Sequence, residues 1–99
     1  MAKYNLTHKA VEDLAEIWDY TFELWSEQQA DKYYKLLIAN CQEIANNQQL
    51  GKKYDGVTPN LLGSRINRHI IFYRKMKENE VEITRILHER MNLKRRILE

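Results

Sequence analysis

Two stretches of this chain hold the side chains best equipped for chemistry: Ser64-Arg65-Ile66-Asn67-Arg68-His69-Ile70-Ile71-Phe72-Tyr73-Arg74 and Ile83-Thr84-Arg85-Ile86-Leu87-His88-Glu89-Arg90-Met91. Imidazoles move protons near neutral pH, and guanidinium groups hold carboxylates or phosphates. The apolar residues of both runs are what folding requires. The cations and the two histidines clustered where the runs begin and end are not. Arg65, His69, Arg74, Arg85, His88, Arg90 and Met91 are therefore the candidate binding residues. Two histidines without a cysteine or carboxylate ligand beside them do not make a zinc site, so neither metal nor cofactor is expected.

The elements that position these residues follow from periodicity. Tyr4-Asn5-Leu6 reads as a short strand, and Thr7 as the N-cap of a first helix. Val11, Leu14, Trp18, Thr21/Phe22 and Trp25 recur at helical spacing. Ser26-Glu27-Gln28-Gln29 forms a capping box, with Gln29 placed to reach back to Ser26. The second helix carries Ala30, Tyr33/Tyr34, Leu37, Cys41 and Ile44/Ala45, runs to about Gln49 and stops near Gly51. Trp18, Trp25, Tyr33 and Tyr34 are expected in the core, as is Cys41. Residues 51–63 read as loop, broken by Gly51, Gly56, Pro59 and Gly63. Strands are expected over Leu61–Asn67, His69–Met76 and Val81–His88, with Lys77-Glu78-Asn79-Glu80 as the last turn. The order is βααβββ followed by a short basic C-terminal tail: an α+β fold with a helical hairpin on a small antiparallel sheet.

A four-residue turn at 77–80 sets the register of the last hairpin. His69 pairs with His88, Ile70 with Leu87, Ile71 with Ile86 and Phe72 with Arg85. Tyr73 then pairs with Thr84, Arg74 with Ile83, Lys75 with Glu82 and Met76 with Val81. The two histidines become neighbours at the sheet end away from the turn. Arg74 and Arg85 fall on the more apolar face, where each needs a carboxylate, a carbonyl or a route to water. Structural and functional readings of those two arginines weigh equally, with Glu16 or Asp13 as the acid partner.

Ninety-nine residues with ordinary apolar and charged content make one globular domain, residues 1–99. One cysteine excludes an intramolecular disulfide. The start of the chain has no apolar signal core, and no apolar run is long enough to span a bilayer, so a cytoplasmic protein with no membrane role is expected. Charge is unevenly divided. Residues 1–60 carry 6 Lys/Arg against 9 Asp/Glu, a net of −3, and residues 61–99 carry 10 against 5, a net of +5. The basic half suits an anionic partner. No helix is basic along one face and no RNA-binding signature appears, so direct sequence-specific nucleic-acid binding is not expected.

Four segments resemble one known family. They are Tyr4-Asn5-Leu6-Thr7 with Ala10, Asp13 and Leu14; Trp25-Ser26 with Gln29-Ala30; Arg68-His69-Ile70-Ile71-Phe72-Tyr73-Arg74; and Arg85-Ile86-Leu87-His88-Glu89-Arg90-Met91-Asn92. Together they are similar to the ParE branch of the RelE/ParE toxin superfamily, often labelled plasmid stabilisation proteins, and the likeness runs from Tyr4 to about Leu93. The resemblance implies a bacterial type II toxin that inhibits DNA gyrase and blocks replication, neutralised by a ParD-type antitoxin. On that reading the chain is an inhibitor without catalytic residues.

The sister RelE branch cuts mRNA on the ribosome. Attack of a 2′-OH on phosphate needs a base, an acid and cations, and His88, Arg85 and Arg65 are the residues that would serve. Against it, the chain lacks a lysine-rich active face, and its tail after Met91 has neither Tyr nor His. An inactive toxin homologue is the remaining alternative.

Overall fold

A computed structural model describes residues 2–99. Strand β1 (Lys3–Leu6) leads into α1 (His8–Leu24), and α1 turns back at Trp25–Ser26 into α2 (Glu27–Asn46). Both helix starts are chemically fixed. The Thr7 Oγ1 accepts from the Ala10 N–H at 3.1 Å, and the Ser26 Oγ from the Gln29 N–H at 3.1 Å. The return bond expected from the Gln29 amide is not among those the described residues make. Four more strands follow: β2 (Lys52–Lys53), β3 (Leu62–Ile66), β4 (His69–Lys77) and β5 (Glu80–His88). A short helix α3 (Leu93–Ile97) ends the fold, capped by Asn92.

The sheet order is β1-β5-β4-β3-β2. Every pairing is antiparallel except β1 with β5, which is parallel, so the sheet is mixed. A parallel first strand is what the connection demands, because α1 and α2 lie between β1 and the rest of the sheet. Residues 51–63, expected as loop, contribute the two-residue β2. The basic tail is helical. Between β3 and β4 the chain turns at Asn67 and Arg68, with Asn67 at φ 51° in the left-handed region that a two-residue hairpin uses.

Each sheet face carries its own core. Leu14, Leu37, Cys41 and Ile44 of the hairpin pack on Ile71, Tyr73, Val81, Ile83 and Ile86. On the opposite face Leu61, Ile70, Phe72 and Leu87 are covered by Tyr54, Leu93 and Ile97. The tail therefore contributes to folding: its two apolar side chains close the second core while Lys94, Arg95 and Arg96 stay exposed.

Two expectations are corrected here. The β4–β5 register holds from His69–His88 to Phe72–Arg85 and then shifts, so Tyr73 pairs with Ile83, Arg74 with Glu82 and Lys75 with Val81. Thr84 is the extra residue of the bulge, its hydroxyl donating to the Phe72 carbonyl at 3.2 Å. Strict alternation would have put Ile83 and Val81 on the Leu87 face. The bulge turns them onto the hairpin face beside Ile86, where the larger core needs them. A second irregularity at Met76 tightens the turn to Glu78–Asn79.

The buried stripe of α1 also differs from the expected one. Ala10, Asp13 and Leu14 face inward, whereas Val11 is 50% exposed, Phe22 45% and Trp25 76%. The two stripes share Leu14, and their centres lie roughly 80° apart on the helix. The one chosen is that which lets Asp13 reach the sheet.

Candidate functional site

Strand β1 pairs with β5 only as far as Ile83. Beyond it the β5 edge is left to α1. The Thr7 N–H donates to the Ile83 carbonyl at 3.0 Å and the Thr7 hydroxyl to the Thr84 carbonyl at 2.8 Å. One and a half turns on, the Asp13 carboxylate accepts from the Ile86 N–H at 3.0 Å, taking the place of a neighbouring strand. The same carboxylate accepts from Arg85 Nε at 2.8 Å and Nη2 at 2.9 Å. The third arginine nitrogen donates to the Arg96 carbonyl and lies 3.6 Å from the Glu99 carboxylate. Bonding to Asp13 raises the Arg85 pKa further, against the opposing effect of burial. Arg85, 8% exposed, thus ties α1, β5 and the tail together.

Past this tie a groove of about 510 Å³ opens between α1 and the end of β5. Asp13, Glu16, Ile17 and Tyr20 form its helix wall, and Ile86, His88, Arg90 and Met91 the other, with His69 between them. Four of the seven candidate residues, His69, His88, Arg90 and Met91, therefore meet here. Arg65 is next to them at the β3 end: it and Arg68 grip the two oxygens of Glu89 at 2.6 and 3.1 Å. The bond from Arg68 is the main reason the Glu89 pKa lies below the usual carboxylate range, with the charges of Arg65 and Arg68 adding to it. Arg74 is not part of this cluster. It lies opposite Glu82 in the strand register near the turn and donates from Nη2 to Thr58 Oγ1 at 2.8 Å, its Nε buried without a partner.

The histidines are held in defined ways. The rings of His69 and His88 lie 5.3 Å apart and nearly perpendicular, as the shared strand-end register requires. His69 Nδ1 is 2.6 Å from the Tyr33 hydroxyl of α2. Burial, reinforced by His88 and partly opposed by Glu89, lowers the His69 pKa to about 4, so the ring is neutral at physiological pH. His88 Nδ1 accepts from the Arg90 backbone N–H at 3.1 Å. Periodicity placed Tyr33 on the core stripe and gave no hint of its bond to His69; Glu16 and Tyr20 were equally silent, because a groove wall across two elements leaves no local pattern. No group of three or more His, Cys, Asp or Glu side chains able to hold a metal occurs among the described residues.

Comparison with known proteins agrees with this architecture. Residues 4–93 match the family described as "ParE toxin of type II toxin-antitoxin system, parDE". The chain belongs to the ParE toxin family. It is 31% identical over 96 residues to Toxin ParE1 of Mycobacterium tuberculosis (strain CDC 1551 / Oshkosh), covering 97% of this chain and 98% of that one. It is 33% identical over 92 residues to Toxin ParE1 of Caulobacter vibrioides, covering 93% and 94%. A solved structure described as "Chromosomal ParDE TA system from P. aeruginosa" superposes with a TM-score of 0.75 over 89% of this chain and 96% of that one, at 23% identity, which speaks to the fold. In this ParE-family chain the family match takes in the groove, the Asp13–Arg85 tie and the paired histidines, and stops at the first residue of α3. No helix among the described residues is long and apolar enough to cross a membrane.

Proposed function

We propose that this chain is the toxin of a ParDE module, that it acts in the cytoplasm on DNA gyrase, and that a ParD-type antitoxin neutralises it. The family match over residues 4–93 carries the reading. The surface left bare by the fold supports a life in complex. Around the last turns of α1, Tyr20 and Leu24 stand exposed on one side and Phe22 on the other, with Trp25 bare at the turn, apolar side chains that a partner would cover.

Arg65, His69, His88, Arg90 and Met91, gathered at one end of the sheet, are the surface we assign to target contact. Arg85, whose guanidinium is engaged inside the fold, serves to position it, and Arg74, held to Thr58 near the far turn, is left out of it. Growth arrest on induction in a bacterial host, relieved by co-expression of the ParD-type antitoxin, is the expected behaviour. A His88→Ala/Arg90→Ala variant should remain folded by circular dichroism and lose the arrest. Full arrest by that folded variant would remove the strand end from the target surface, and arrest that no antitoxin relieves would count against the module itself.

A further inference from the structure

The paired histidines are arranged as donors. A backbone N–H can only donate, so His88 Nδ1, which takes the Arg90 N–H, must be unprotonated, and the ring's proton sits on Nε2. His69 is set the same way. The Tyr33 hydroxyl has His69 Nδ1, 2.6 Å away, as its one hydrogen-bond partner among the described residues, and a phenol gives its proton to a neutral imidazole nitrogen more readily than it accepts one, so the Tyr33 O–H donates to His69 Nδ1. Both Nε2–H groups then project from rings 5.3 Å apart that line the groove. Neither has a partner in the fold. Neither is sealed from solvent, since Arg74 Nε is the one buried side-chain nitrogen or oxygen without a partner among the described residues. Arg90, exposed and in no ion pair among the described residues, adds a cationic donor on the same wall.

We propose that this end of the groove receives one side-chain carboxylate of an acidic protein segment, its two oxygens shared between His69 Nε2–H and His88 Nε2–H and its charge met by Arg90. The proposal rests on the toxin–antitoxin reading for its partner: the segment belongs to the ParD-type antitoxin. Geometry selects the ligand class. Ile17, Tyr20 and Met91 give the rest of the groove an apolar lining that suits the stem and neighbours of an acidic residue on a peptide. Arg65 and Arg68 are already engaged with Glu89, and Arg85 with Asp13, so Arg90 is the one unpaired Lys or Arg among the described residues lining the groove, matched to one negative charge. A phosphate dianion would find that single cation and face the Glu16 carboxylate on the opposite wall. Occupancy of the site would cover the residues assigned to target contact, which explains neutralisation by direct occlusion.

The test uses the side-chain isosteres of the two ring nitrogens. Glutamine places an N–H donor near Nε2, whereas asparagine retains only a group near Nδ1. His69→Gln and His88→Gln should bind the ParD-type antitoxin within a few-fold of the unmodified protein. His69→Asn and His88→Asn should bind about tenfold or more weakly, the scale of a lost hydrogen bond to a charged group. Equal effects of Gln and Asn, or none from Asn, would overturn the proposal. Two measurements judge the site without the antitoxin. Long-range proton–nitrogen NMR correlation at pH 7 should show both imidazoles protonated on Nε2, and a proton on Nδ1 of either ring would be fatal. A capped Leu-Glu-Leu peptide should shift both Nε2–H resonances while Leu-Gln-Leu leaves them in place; shifts from both or from neither would reject a carboxylate receptor. An antitoxin that fails to bind the unmodified chain would refute the module assignment, and the peptide titration would still decide the site.

Discussion

Replacing Asp13 by asparagine removes one negative charge from a site that holds three N–H donors. Asp13 and Arg85 side chains are only 7% and 10% exposed, and the carboxylate is bonded at 2.8, 2.9 and 3.0 Å to Arg85 Nε, Arg85 Nη2 and the Ile86 N–H. The amide keeps one acceptor and turns an NH₂ towards a guanidinium. Breaking a buried pair by removing one partner costs about 3–5 kcal/mol, because the surviving charge stays desolvated. Glu99, 3.6 Å from Arg85 and 45% exposed, remains as a partial substitute, which places the loss at the lower end, about 3 kcal/mol. For a domain of this size that is a fall in melting temperature of roughly 12–24 °C. Urea unfolding followed by far-ultraviolet circular dichroism should show the midpoint fall at unchanged slope. Glu16→Gln, one turn away on the exposed side, should stay within about 0.5 kcal/mol. Asp13→Leu combined with Arg85→Met should recover much of the loss, since neither charge is then buried alone. Asp13→Asn within about 1 kcal/mol of the unmodified protein would refute the reasoning, and α1 would have to be held to β5 by packing and the Thr7 bonds.

His69 carries a pH dependence with a definite sign. Its folded pKa of about 4 lies below the ordinary imidazole value, so between about 4 and 6.5 the unfolded chain binds the extra proton. Stability is full above about 6.5 and declines as the pH falls towards 4; His69→Phe should remove that component from a plot of urea midpoint against pH. Burial pushes the Cys41 thiol up to about 12, so a disulfide reagent at pH 8 should modify it only as fast as the chain opens, and rapidly in denaturant. Thr7→Ala deletes both the cap on Ala10 and the bond to the Thr84 carbonyl, and should cost about 1–2 kcal/mol in the same unfolding assay.

Much of this arrangement is legible in the sequence where the signal is local. Thr7 and Ser26 mark the helix starts by their hydroxyls, and the α2 stripe holds at Ala30, Leu37, Cys41 and Ile44 because the opposite face is polar, whereas Tyr34, expected in the core with Tyr33, sits at the edge of the stripe and is 40% exposed. The pairing of His69 with His88 follows from turn length, since a turn fixes register near itself and two compensating irregularities left the far end unchanged. What stayed hidden depends on contacts across the fold. The Thr84 bulge answers to which face the larger core occupies, and the stripe of α1 to the partner that Asp13 finds 72 residues away. The parallel pairing of β1 has no sequence signature in a four-residue strand. Among the candidate residues, His69, His88, Arg90 and Met91 come together because they share one sheet end. Arg74 and Arg85 were separable from these by register, which set both on the more apolar face in need of a partner; Arg85 takes Asp13, one of the two acids the sequence offered, and the Arg96 carbonyl, and Arg74 takes Thr58.

The most direct test of the assignment to gyrase is a supercoiling assay with purified gyrase, ATP and relaxed plasmid, into which this protein is titrated. The account predicts loss of supercoiling with accumulation of linear DNA, reversed by the ParD-type antitoxin. Gyrase that supercoils undisturbed at a molar excess of the folded protein would contradict it.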